Sequence, residues 1–210
     1  VSPGWRHGWS LVLLGLVVLT AGPARAQSAE EWIKRGNLAS AQGRHAEAVA
    51  HFSRAIRSAT RPPIQAIAFH NRANEYFRLK KYQAALTDYS RAVTVAPGYA
   101  SAWHNRAVVL ARLQKWAAAL KDVNQAIRLK PKRASGYLLR GAIYGQQQKY
   151  RRALVDLNWA VRLDPRSAAA YRLRAVTYRH LGQMDRAKAD LARAEKLSRA
   201  NLLRTRPGRP

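Results

Sequence analysis

The chain has 210 residues, with 38 Lys and Arg against 11 Asp and Glu, a formal net charge of +27, and no cysteine. The missing thiols exclude disulfides, cysteine-ligated metal and a lipidated cysteine anchor, and they leave the compartment open. The positive field favours polyanions, whether acidic protein segments, an anionic membrane surface or nucleic acid, although heavy use of Arg and Ala is also what a GC-rich coding sequence yields.

Residues 1–26 differ from the rest. Arg6 and His7 precede an apolar run from Leu11 to Leu19, and Ala24-Arg25-Ala26 follows it. This is the n-region, h-region and A-x-A order of a secretory signal peptide, with Gln27 first after cleavage. The run has about half of the roughly 20 apolar residues a helix needs to cross a bilayer. An uncleaved membrane anchor is the second reading. The expectation is an exported protein, periplasmic in a bacterium or secreted. Without Arg6 and Arg25 the remaining chain still carries +25.

From Ala29 onward the chain repeats. Alanine recurs at Ala48, Ala85, Ala119, Ala153 and Ala187, and seven residues later at Ala55, Ala92, Ala126, Ala160 and Ala194, in steps of 37, 34, 34 and 34 residues. A period near 34 marks an array of small helical units. The blocks run over residues 29–65, 66–99, 100–133, 134–167 and 168–201. Position 4 of each is a large aromatic: Trp32, Phe69, Trp103, Tyr137 and Tyr171. Position 8 is always small (Gly36, Ala73, Ala107, Gly141, Ala175). Positions 4, 8 and 11 share one helix face, as do 20, 24 and 27, so each block is predicted to hold two short amphipathic helices. The small residues at 8 and 20 let those helices approach closely.

Pro97, Pro131 and Pro165 at position 32 end the second helix of the middle blocks, where Thr60 and Arg199 stand in the first and last. The three-residue excess around Arg61-Pro62-Pro63 reads as a longer loop. The last block ends differently, with Glu195 where the others carry Ile56, Val93, Ile127 or Val161. Its second helix is expected to run past Leu197 to about Leu203. The array then spans residues 27–203, and residues 204–210 form a basic disordered tail.

The spaced aromatics, small residues, alanines and prolines resemble the tetratricopeptide repeat over residues 29 to about 201. That resemblance implies an all-α helical-repeat solenoid, a right-handed superhelix of five helix-turn-helix units. Each unit is stabilised mainly by its neighbours. It also implies a concave groove lined by first-helix positions 2, 5, 9, 12 and 13. In this sequence those positions include His70, Asn74, Phe77, Arg78, His104, Arg112, Arg172, Arg179 and His180, with Asn37 and Ile67, and Glu30 as the one acid. A groove so charged is expected to bind an acidic peptide or protein segment. Some family members grip a C-terminal carboxylate with five polar positions. The matching residues here are His70, Asn74, Asn105, Ser135 and Leu139, where every cationic position fails unless His70 is protonated. That mode of capture is not expected.

Arg35, Arg72, Arg106, Arg140 and Arg174 recur at position 7, and Asp88, Asp122, Asp156 and Asp190 at position 23, where the first block has His51. Repeating structural ion pairs are predicted. Each contributes roughly 0–1 kcal/mol if exposed. Position 7 therefore belongs to the scaffold and not to the groove. No enzymatic motif is present: the histidines lack HxxxH or HExxH spacing, and there is no Gly-rich phosphate loop or G-x-S-x-G. His70 and His104 occupy one position in adjacent blocks and read as polar groove contacts, not as metal ligands. No cofactor, metal or small-molecule substrate is expected. The sequence predicts a non-enzymatic scaffold for an acidic protein partner. The alternative is a polyanion binder acting through charge alone at a membrane or on nucleic acid.

Overall fold

The computed structural model describes residues 28–205, so the proposed signal segment and the last residues of the basic tail lie outside the described residues. Ten helices follow one another: α1 Ala29–Ala41, α2 His45–Ser58, α3 Pro62–Arg78, α4 Tyr82–Val95, α5 Ala100–Arg112, α6 Trp116–Leu129, α7 Ala134–Gln146, α8 Tyr150–Leu163, α9 Ala168–His180 and α10 Met184–Thr205. Each odd-numbered helix packs on the helix after it, and each pair packs on the next. Successive odd-numbered helices also touch one another, whereas among the described residues the even-numbered helices do not. The array therefore curves with α1, α3, α5, α7 and α9 on its inner side.

Local signals explain the helix limits. Ser28 Oγ accepts from the Glu31 amide at 3.2 Å, and Glu30 and Glu31 lie where the helix dipole favours acids. Ser167 caps α9 in the same way. Helices α4, α6 and α8 stop two residues before Pro97, Pro131 and Pro165. The Pro62-Pro63 step departs from the expected loop: it forms the first turn of α3, which starts one turn early. Proline fits there because its fixed φ suits a helix start and its absent N–H would have no partner anyway. Position 15 closes the first helix of every block in the left-handed region, with Gly43, Lys80, Gln114, Gln148 and Gly182 at φ of 57–73°.

Inside each block the helices meet at the small residues. A Cβ on Gly36 would fall 2.5 Å from the Phe52 ring, and one on Gly141 would fall 2.9 Å from Leu157 Cγ. Ala48, Ala85, Ala119 and Ala153 are completely buried opposite them. Between blocks, Phe69 and Val93 pack with Ala102, against Ile56 and Trp103. At the far end of the array Glu195 is exposed, a polar finish where, among the described residues, no further block covers α10.

The repeated Arg and Asp do form ion pairs, and they are buried. Arg72, Arg106, Arg140 and Arg174 bind Asp88, Asp122, Asp156 and Asp190 through two bonds each, of 2.6–2.9 Å. The Asp side chains are only 3–9% exposed. The third edge of each guanidinium reaches position 25 of the preceding block: Ser53, Ser90, Asn124 or Asn158. One arginine thus ties the two helices of its own block to the block before. Its face lies over the position-4 ring, as with Arg106 at 4.8 Å from the Trp103 centroid.

The first block lacks this arrangement. Its Arg35 is exposed over Trp32 at 5.1 Å, and His51 stands in place of the aspartate. The His51 ring stacks on Trp32 at 5.5 Å, and its buried Nδ1 has no hydrogen-bond partner among the described residues.

Candidate protein-binding groove

The inner face holds three adjoining cavities, one at each junction between first helices from block 2 to block 5. The first, about 450 Å³, is lined by Asn74, Phe77, Arg78, Tyr89, Asn105 and Val108. The next, about 640 Å³, shares Phe77 and Val108 with it and adds Arg112, Trp116, Leu139, Ala142 and Gln146. The third, about 300 Å³, shares Ala142 and Gln146 and continues to Val176 and His180. These shared walls make one groove across α3, α5, α7 and α9.

The groove changes character along its length. At the first two junctions, an asparagine at position 9 of one block bonds an asparagine at position 6 of the next: Asn71 to Asn37 at 3.2 Å and Asn105 to Asn74 at 3.0 Å. The Tyr89 hydroxyl also donates to Asn74, at 2.5 Å, and burial pushes its phenol pKa up. From position 9 of block 3 onward the same positions become Val108, Leu139, Ala142, Leu173 and Val176. The floor turns from a self-satisfied amide network into an apolar surface.

The nine residues assigned to the groove from the sequence occupy three environments. Asn74, Phe77, Arg78, Arg112 and His180 line the cavities. Arg112 is exposed and makes no ion pair among the described residues, whereas Arg78 lies 3.7 Å from the buried carboxylate of Glu75. Glu75 also accepts from Ser40 at 2.7 Å and contacts His45 at 2.7 Å, so it locks block 2 to block 1. His180 stacks face to face on Tyr150 at 4.2 Å. Arg179 is exposed beside it, outside the cavity walls.

The position-5 residues lie instead under the seams. Asn105 Nδ2 donates to His70 Nε2 at 3.1 Å, which keeps the ring proton on Nδ1, beside Asn71 Oδ1 and the Tyr99 hydroxyl at 3.2 Å. Burial lowers the His70 pKa, so His70 supplies no cation to the groove. His104 is half-buried, and burial together with the nearby Arg133 lowers its pKa as well. The His70 ring is engaged by Tyr99 and Asn105 at the junction with block 3, and the charge near His104 is Arg133, at the end of its own block. Arg172, with no block after it among the described residues, donates to Ser198 on α10. Among the described residues no group of three His, Asp or Glu is arranged to hold a metal ion.

Sequence reasoning did not single out Val108, Ala142, Gly145 or Val176. The signal was present at positions 6 and 9, where Asn gives way to aliphatic residues halfway along the array.

Ten helices in consecutive pairs, with a groove on the first-helix side, define a helical-repeat binding scaffold. The chain belongs to the tetratricopeptide repeat family, whose models match residues 66–99, 100–133 and 138–201. Solved structures share the fold. MamA residues 41 to the end, from Desulfovibrio magneticus RS-1, is 17% identical, with a TM-score of 0.71 over 82% of this chain and 96% of that one. YrrB, described as a TPR protein with an unusual peptide-binding site, is 20% identical, with a TM-score of 0.64 over 84% and 89%. A tetratricopeptide repeat protein from Parabacteroides merdae ATCC 43184 is 23% identical, with a TM-score of 0.71 over 83% and 67%. No curated protein sequence matches the chain.

Proposed function

We propose that this protein is a non-enzymatic scaffold that binds an acidic protein segment in the groove of α3, α5, α7 and α9. The observation that carries this reading is the continuous inner groove with exposed Arg112, which has no ion-pair partner among the described residues, at its centre and exposed His180 at its far end. Acids are scarce around it for a structural reason. Glu75, Asp88, Asp122, Asp156 and Asp190 are all buried inside the array. The four aspartates neutralise the structural arginines, Glu75 is held by Ser40 and His45, and the surface is left to the remaining cations. Peptide binding in a fold relative, YrrB, agrees with this use of the scaffold.

The second reading, charge-driven binding of a polyanion, has its own support. Arg54, Arg91, Arg128, Arg162 and Arg193 are exposed on the even-numbered helices, away from the groove. Salt separates the two. Groove binding of an acidic partner persists in about 0.5 M salt, where the Debye length falls to a few ångströms, and drops about ten-fold or more in Arg112→Glu. Binding that vanishes with salt and ignores Arg112→Glu belongs to the second reading. We also propose export, on the plan of residues 1–26. Mass spectrometry of the protein from its native host checks this through a mature N-terminus at Gln27.

A further inference from the structure

We propose that the outward face of α8 docks on an anionic phospholipid bilayer, with Trp159 and Val155 entering the interface and the arginines around them meeting the phosphates. This face points away from the groove, so it can act while the groove holds a partner. The contact is apolar as well as ionic, which sets it apart from attraction by charge alone. Two side chains break the repeat here. Position 26 is Arg54, Arg91, Gln125 and Arg193 in the other blocks, and position 22 is Ala50, Thr87, Lys121 and Ala189. Block 4 alone has Trp159 and Val155 there, one helical turn apart on one face and 44% and 59% exposed. Trp159 is the one exposed aromatic among the described residues. It stacks on Tyr137 at 6.1 Å. Arg54 and Arg91 cover the equivalent rings of Trp32 and Phe69, at 4.7 and 5.6 Å, without leaving a large apolar side chain in water. Covering the ring therefore does not account for an indole, and Val155, with most of its surface in water, is no part of the core.

The surroundings select the occupant. The exposed residues around this pair on α8 include Arg151, Arg152 and Arg162, and the Arg162 guanidinium lies 4.7 Å over the Trp159 ring. The carboxylates of α4, α6 and α8 are Asp88, Asp122 and Asp156, all buried in ion pairs, so these three helices expose cations and no acid. On α6, one block earlier, a cleft of about 440 Å³ beside Trp103 is lined by Lys121 and Arg128. An indole beside an aliphatic side chain, surrounded by long cations, suits a bilayer interface. The apolar groups leave water there while the guanidinium groups stay at the level of the phosphates. Nucleic acid would engage the arginines but bury little of Val155. The outer side of the array is convex, so it cannot enclose an extended peptide as the inner side can, whereas a bilayer conforms to it.

The chain has no cysteine, so one introduced thiol carries a label to one place. An environment-sensitive fluorophore is attached to the full chain at Arg151→Cys on the outward face, or at Gln146→Cys on the groove side as a reference. Vesicles of phosphatidylcholine holding about 30 mol% phosphatidylglycerol are expected to shift the emission of the first label to the blue and leave the second unchanged. Vesicles of phosphatidylcholine alone should shift neither. Trp159→Arg together with Val155→Lys, added to the Arg151→Cys chain, then removes the apolar contact with residues that other blocks carry at the same positions. Thermal melting checks the fold, and Trp159→Arg alone serves where the pair lowers it. Attraction by charge alone predicts tighter vesicle binding, since cations are added. Insertion predicts binding about ten-fold or more weaker. Tighter or unchanged binding overturns the docking surface. So does an outward label that stays unshifted with vesicles, or that shifts only with single-stranded DNA, the result expected of a nucleic-acid surface. Each of these results leaves the groove reading standing, because that reading is tested with an acidic partner and Arg112→Glu.

Discussion

The seam and the groove lie on the same first helices and follow opposite rules. The seam repeats: Arg at position 7, Asp at position 23 and Ser or Asn at position 25 make the same three-way contact in four blocks out of five. The groove does not repeat. Positions 6 and 9 change from paired asparagines to aliphatic residues, and position 12 ranges from Phe77 to Gly145 and Arg179. A contact needed to stack one block on the next must recur wherever blocks stack. A contact needed to recognise a partner meets a different part of that partner at each junction. In a helical array the repeated polar residues therefore report on stability and the unrepeated ones on recognition.

The sharpest way to break that division is through Asp122. Its carboxylate is almost fully buried, and two of the Arg106 donors point at it. Asp122→Asn leaves the guanidinium buried beside an amide that offers one acceptor and opposes it with donors of its own. The expected loss is about 3 kcal/mol, the low end for breaking a buried pair because Arg106 keeps some contact with water. Chemical denaturation measures it. The same variant, held at a temperature where it remains folded, should bind an acidic partner as the unaltered protein does. Lost binding with unchanged stability would place the seam inside the recognition surface and collapse the comparison.

A smaller effect distinguishes the two ends of the groove by pH. His70 is held neutral by burial and by the amide of Asn105 donating to its Nε2. His104 is held neutral by burial and by Arg133. With folded-state pKa values below the ordinary value of about 6.5, the contribution of these sites is fully present above that pH. It is lost as the pH falls through the folded values, because the unfolded chain takes up protons first. Melting temperature should therefore decline between about pH 7 and pH 5, and His70→Gln together with His104→Gln should flatten that decline. Equal slopes in the two proteins would remove the histidines from the account. The aliphatic end has no buried histidine, so acid should loosen the amide-lined end first.

How much of this was legible follows from the same contrast. The period, the paired helices, the position-7 pairs and the stop at each proline could be read from the sequence because each is stated several times over. The depth of the ion pairs could not. Burial depends on how blocks stack, and the bond from each arginine to position 25 of the preceding block is invisible within a single repeat. The groove was partly legible. The family register placed Arg78, Arg112 and His180 beside the cavities, but it also put His70, His104 and Arg172 there. Position 5 reaches forward beneath the next block, so its residues are covered wherever a next block exists. The Pro62-Pro63 step reads as a loop in sequence because proline marks both loops and helix starts.

The first block offers the smallest and most discriminating test. Its Arg35 lies over Trp32 as its counterparts lie over their aromatics, yet it has no aspartate at position 23, and among the described residues no preceding block offers a position-25 acceptor. His51→Asp supplies the carboxylate at the spacing that forms two bonds in each of the other blocks. It also removes a buried ring nitrogen without a partner, at the cost of the stack on Trp32. If the pair within a block is the stabilising unit, the gain should be about 1 kcal/mol, as for a charge-assisted contact at a partly wet site. Urea denaturation at neutral pH resolves a change of that size. A null or negative result would show that Arg and Asp alone contribute little. The strength of the seam would then lie in the third bond, the one that crosses from block to block, and in the cover that only a stacked neighbour provides.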